Sequence, residues 1–136
     1  MNTSIYTSDV LEYRISRVSL REDGILDIKI KADELFTASD YYDLMDAAYT
    51  FGKGKRLLNL IDVGEHTTAD HESRKLSTSK EGSIYKLADS FIIYSLPQKL
   101  VANFYMSFHK PIIPTRFNTS KDEAIKWLKN MDQNLI

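Results

Sequence analysis

Leu57-Leu58-Asn59-Leu60-Ile61-Asp62 is a nearly continuous apolar run, interrupted only by Asn59. A strand with one wet face alternates apolar and polar residues. This one does not, so it is expected to be covered on both faces, as in a parallel sheet. It ends at Asp62-Val63-Gly64. Downstream, Phe91-Ile92-Ile93-Tyr94 reads as a second short buried strand. Upstream, Leu11, Tyr13 and Ile15 alternate with Glu12, Arg14 and Ser16, which is the period of a half-buried strand. The parity slips near Arg17, and Val18 and Leu20 continue on the other phase, which predicts a bulge. Asp23-Gly24 is a hairpin signal, and Leu26, Ile28 and Ile30 alternate after it. The chain therefore opens with an antiparallel hairpin.

Between these strands the apolar period becomes helical. Thr37 or Ser39 can cap a helix, with Asp40 three residues after Thr37. Tyr41, Leu44, Met45, Ala48 and Tyr49 then share one face, and Gly52 and Gly54 end the element. The polar segment from Glu65 to Ser83 predicts a helix from about Thr68. Pro97 suits a first helical turn, and Leu100, Val101, Phe104, Tyr105 and Phe108 form the stripe of the helix that follows. Ile112, Ile113, Thr115, Arg116 and Phe117 predict a last strand. Pro114 inside it lacks a donor and places it at a sheet edge. Ser120-Lys121-Asp122-Glu123 is a capping box ahead of Ala124, Ile125, Trp127 and Leu128. The order is β-β-α-β-α-β-α-β-α. It predicts an α/β domain spanning residues 1–136, with a mixed, mainly parallel sheet of about five strands and crossover helices. Residues 1–10 are polar and expected to be loose.

Composition narrows the function. The 136 residues are 43% hydrophobic and 27% charged, ordinary for a globular domain. There is no cysteine, which excludes disulfides, thiolate catalysis and cysteine-ligated zinc. A net charge of −1 provides no field for nucleic acid, and Lys53, Lys55 and Arg56 are too few to make a binding stripe. No apolar run is long enough to span a membrane, and Asn2-Thr3-Ser4 does not resemble a signal peptide. A cytoplasmic protein is expected.

Candidate sites are few. Asp62 ends a central strand, where ligands of open α/β sheets gather. With Glu65, Thr67, Thr68 and His71 it outlines a ligand or partner loop, and the plainer alternative is a solvated loop whose aspartate caps a turn. His66, Asp70 and His71 invite a metal, but their spacing fits no single helical face and no ligand motif is complete, so no metal is expected. No Gly-x-Ser-x-Gly elbow is present, and Gly52-Lys53-Gly54-Lys55 precedes a strand rather than opening a helix. No catalytic residue and no cofactor are assigned. The bulky stripe with Leu100, Phe104, Tyr105 and Phe108 is read as core, as an interface between copies, or as an apolar ligand pocket.

Three stretches carry a family resemblance beyond the opening hairpin. They are Leu57 to Asp62, Ser90-Phe91-Ile92-Ile93-Tyr94, and Arg116-Phe117-Asn118-Thr119-Ser120-Lys121-Asp122-Glu123-Ala124-Ile125-Lys126-Trp127-Leu128. The chain resembles the STAS-like superfamily, whose small bacterial members include anti-sigma-factor antagonists. The resemblance implies a non-enzymatic regulatory or protein-interaction module that self-associates as a homodimer. It also permits a small-molecule or lipid-binding domain with an apolar pocket between helices and sheet. A hydrolytic or metal-dependent enzyme around Asp62, His66 and His71 is the third reading. Antagonists of this family carry a phosphorylatable serine after an aspartate at a helix start. The matching stretch here is Asp70-His71-Glu72-Ser73, with His71 where that serine would stand. The resemblance thus carries the fold and not the switch.

Overall fold

The computed structural model describes residues 6–99 and 110–135, with side chains for 9–99 and 110–131. A six-stranded sheet organises them in the order β1-β2-β3-β5-β7-β8. Its strands are β1 (Tyr6–Glu12), β2 (Ser16–Arg21), β3 (Leu26–Ile30), β5 (Leu57–Val63), β7 (Lys86–Ile92) and β8 (Thr115–Asn118). The β1–β2 and β2–β3 pairs are antiparallel, and the β3–β5, β5–β7 and β7–β8 pairs are parallel. A separate parallel pair joins the short strands β4 (Leu35–Phe36) and β6 (Thr68–Ala69). The α/β class, the leading hairpin and the mainly parallel sheet agree with the sequence reading.

Several boundaries differ from that reading. The parity slip near Arg17 is a turn, not a bulge: Tyr13 N–H donates to the Ser16 carbonyl at 2.8 Å, and separate strands lie on either side. The stretch expected to be loose therefore supplies β1 from Tyr6 onward, and the sheet has six strands rather than about five. Pro114 precedes β8 instead of interrupting it, and β8 is an edge strand as its proline implied. The second helix starts later than Thr68, because Thr68 and Ala69 pair with β4.

Helix α1 (Ala38–Gly52) begins where Thr37 and Asp40 predicted. Asp40 Oδ2 accepts from the Thr37 amide and hydroxyl, both at 2.9 Å. Arg14 reaches the same carboxylate at 2.7 Å and ties the β1–β2 turn to the helix start. Helix α2 (His71–Thr78) is capped by Asp70, whose Oδ1 accepts from Ser73 N–H at 2.8 Å. A 3₁₀ turn (Glu81–Ser83) leads into β7. Residues 96–99 are helical, with Lys99 N–H donating to the Ser95 carbonyl. The stripe Leu100, Val101, Phe104, Tyr105 and Phe108 lies outside the described residues. The C-terminal helix α3 spans Lys121–Leu135, and Ser120 Oγ accepts from Glu123 N–H at its start.

The run in β5 is apolar on both parities because both faces are covered. Leu58 and Leu60 join Ile25, Ala88, Ile92, Ala124 and Leu128 in a core under α3. Ile61 joins Ile28, Ile30, Tyr41, Leu44 and Ala48 in a core under α1. Asn59 shares the parity of Ile61 and faces the α1 side.

Candidate functional site

Among the described residues, the α1 side of the sheet is not fully packed. A cavity of about 530 Å³ lies between the sheet and α1 and α2. That volume is in the range of small-molecule sites, roughly 300–1,000 Å³. Its walls are mainly apolar, with Ile28, Leu44, Met45, Ile61, Phe91 and Phe117 among them. The Phe91 and Phe117 rings stack at 4.9 Å across the β7–β8 pair. Apolar cavities of this kind are not reliably filled by water, and their lining loses dispersion contacts until something occupies them.

A charged cluster is set into this apolar wall. Lys86 Nζ lies 2.7 Å from Asp89 Oδ2 and donates to the Ser77 carbonyl at 3.1 Å. Asn59 Nδ2 donates to Asp89 Oδ1 at 2.8 Å. All three residues are buried and line the cavity. Tyr41 completes the group. Its ring centre is 5.6 Å from Lys86 Nζ, and its hydroxyl donates to the Gly82 carbonyl at 2.8 Å. Burial opposes the charge on Lys86, but the Asp89 carboxylate and the Tyr41 phenol outweigh it and hold the ammonium above the ordinary lysine value.

Residues three apart on a regular strand face opposite sides, so Lys86 and Asp89 should not meet. A bulge brings them together. Leu57 pairs with Lys86 and Leu58 with Ala88, which leaves Leu87 as the extra residue. The insertion turns Lys86 onto the face of Asp89, as bulges do when they re-aim a side chain.

The loop residues expected to form a site divide. Thr68 and His66 are exposed and border the cavity. Thr67 also lines it but is buried, and its hydroxyl donates to the Lys31 carbonyl and accepts from Glu34 N–H. It fastens two loops together. Glu65 is exposed, 3.5 Å from His66 Nε2, and His66 has a left-handed φ of 66°. His71 is exposed as the first residue of α2. Ser73 is buried, with its hydroxyl proton facing the Phe36 and Asp70 carbonyls at 3.1 and 3.0 Å. Among the described residues, no group of three histidine, aspartate or glutamate side chains could hold a metal ion.

Asp62 accepts from Tyr94. Burial and then the Asp62 carboxylate push the Tyr94 phenol up to about 12. Tyr13, partly buried and bonded to Asp46, is also pushed up to about 12. A raised phenol pKa favours the protonated folded state. This contribution is complete below the ordinary value of 10.0 and is lost as pH rises toward about 12. With tyrosine ring resonances followed against pH, Asp62→Asn should return the Tyr94 transition toward its ordinary value and leave that of Tyr13 in place.

The hairpin-led mixed sheet carries α1 and α3 on opposite faces. Residues 18–132 match the family described as Domain of unknown function (DUF7793), and the chain belongs to that family. Among solved structures, the chain is similar to an uncharacterized protein from the DUF3478 family with a SpoIIAA-like fold, from Shewanella loihica PV-4. The two are 17% identical over 94% of this chain and 97% of that one, with a TM-score of 0.49. No curated protein matches the chain. No helix among the described residues is long and apolar enough to cross a membrane.

Proposed function

We propose that this chain is a non-enzymatic binding module that takes a small apolar or amphipathic molecule between α1, α2 and the sheet. The carrying observation is the cavity of about 530 Å³, apolar over most of its wall with one convergent polar cluster. A few polar groups in an apolar cleft are the usual composition of a ligand site. The regulatory, self-associating reading drew its interface from the stripe of Leu100, Phe104, Tyr105 and Phe108, which lies outside the described residues. The cavity supports the ligand-binding reading more directly. The enzymatic reading draws no support from the contacts of its three residues. Asp62 holds a phenol, His66 lies beside Glu65, and His71 starts a helix at the surface. Within this proposal, Thr68 and His66 border the entrance, and Asp62, Glu65 and His71 remain candidates for contact with a partner.

Two measurements test it. Native mass spectrometry of protein purified from its own host should find a co-purifying small molecule. Nile red should bind the emptied protein with enhanced fluorescence, and Leu44→Trp, which fills the cavity from α1, should abolish that enhancement without unfolding the chain. A bare chain that also fails to take up the dye would overturn the proposal.

A further inference from the structure

Strands β3, β5 and β7 present alternate residues to the cavity in matched rows. Leu26, Asn59 and Asp89 form one row, Ile28, Ile61 and Phe91 the next, and Ile30 with Val63 continues the series. The first row is buried. Among the described lining residues, the exposed ones are His66 and Thr68, which follow β5, and Pro97, which follows β7. The cavity therefore has a closed end at the first row and a mouth beyond the C-terminal ends of the strands. The polar side chains of the closed end are engaged with one another. Lys86 holds Asp89, the Ser77 carbonyl and the Tyr41 hydroxyl, and Asn59 Nδ2 donates to the second Asp89 oxygen. Asn59 Oδ1 is sealed inside the protein, out of reach of anything in the cavity. A polar group carried to this end would lose its water among groups already bonded to one another.

From this we infer that the ligand is an amphiphile held tail inward, with its hydrocarbon end against the closed row and its polar head in water at the mouth. The rows from Leu26 to Ile30 span about 13 Å at roughly 3.3 Å per residue. An extended alkyl chain advances about 1.25 Å per carbon, so roughly ten carbons cover that length. The inference rests on the cavity being a ligand site, and it specifies orientation and length. The Lys86 cluster shapes the closed end and does not read the head. Arg74 also lines the cavity, and its guanidinium donates to the Ala69 carbonyl, so an anionic head drawn inward to it is the competing outcome.

Displacement of Nile red by linear alcohols reads the length. From hexanol through octanol to decanol, the concentration needed should fall several-fold with each added methylene, and dodecanol and tetradecanol should gain less than about twofold per methylene. Decanediol, with a hydroxyl at each end, should need at least about tenfold more than decanol, because one hydroxyl must enter the closed end. Decanoate and decanol should agree within about threefold, since a head in water contributes little. In NMR spectra, the terminal methyl of decanol should give nuclear Overhauser contacts to Leu26 and Ile28, and its hydroxyl-bearing carbon to Thr68. A diol as good as decanol, a decanoate more than about tenfold better, or the reversed contact pattern would overturn the orientation while leaving the cavity a binding site. A gain that continues undiminished to tetradecanol would overturn the length. If no probe displaces the dye, the binding-module reading fails with it.

Discussion

Lys86→Met should destabilise the fold by about 3–5 kcal/mol, and adding Asp89→Leu should recover most of that loss. The single substitution leaves a carboxylate buried to 3% side-chain exposure without its counter-ion. Asn59 N–H alone then has to stabilise the charge. The double substitution removes both charges and replaces them with side chains of similar length in an apolar wall, where a buried pair often contributes little net stability. Urea denaturation at neutral pH measures both. The sign of the pH dependence follows from the raised Lys86 pKa. The contribution is complete below the unfolded lysine value of about 10.4 and disappears only as pH rises through the still higher folded value. A neutral measurement therefore captures the whole effect. If Lys86→Met cost less than about 1 kcal/mol, Asp89 would have to be solvated or protonated, and the cavity floor would not be the charged cluster described.

That cluster was not legible in the sequence. Strand β7 begins at Lys86, and its first five residues, Lys86-Leu87-Ala88-Asp89-Ser90, show neither alternation nor a continuous apolar run. The sequence reading therefore found only Phe91 to Tyr94. Pairing Lys86 with Asp89 needs the bulge at Leu87, a register feature that depends on β5 and leaves no local signature. Asn59, in contrast, was visible as the single interruption of the apolar run Leu57 to Ile61. Its burial against Asp89 is why an otherwise apolar run tolerates it. The helix caps were readable because capping is a short-range matter of spacing, and Thr37 with Asp40 behaves as its spacing predicts. The turn at Tyr13 to Ser16 was misread because a parity slip is common to a bulge and to a break between strands. Only the pairing partner distinguishes them, and here β2 pairs with both β1 and β3. An apolar pocket between helices and sheet entered only as something the family resemblance permits, since an apolar face has the same composition whether it is filled or hollow.

Gly64→Ala should cost about 3 kcal/mol or more and should also weaken uptake of apolar probes. A Cβ at this position would lie 2.4 Å from Ala32 N and Lys31 C and 2.5 Å from Ile30 O. All three are backbone atoms at the end of β3, so no side-chain rotation relieves the clash. The loops after β3 and β5 are fastened here by several short contacts. Asp33 N–H donates to the Glu65 carbonyl at 2.9 Å, Thr68 N–H to the Glu34 carbonyl at 3.1 Å, and the Thr67 hydroxyl to the Lys31 carbonyl. Gly64 is itself a node, because its carbonyl accepts from Gln98 Nε2 at 2.9 Å and from Thr67 N–H at 3.1 Å. Forcing the loops apart strains the β4–β6 pair and moves Phe36, Thr67 and Thr68, which line the cavity. Gly24→Ala provides the contrast. Gly24 has φ +84° with nothing within 4 Å of an added Cβ, so its cost is the left-handed backbone alone, about 1 kcal/mol. That substitution lies in the β2–β3 turn and should leave Nile red uptake unchanged. Equal urea midpoints for the two variants would mean that the close approach at Gly64 does not exist in solution. A large loss at Gly64 with probe binding intact would detach the loops from the cavity and leave the sheet, α1 and α2 as its walls.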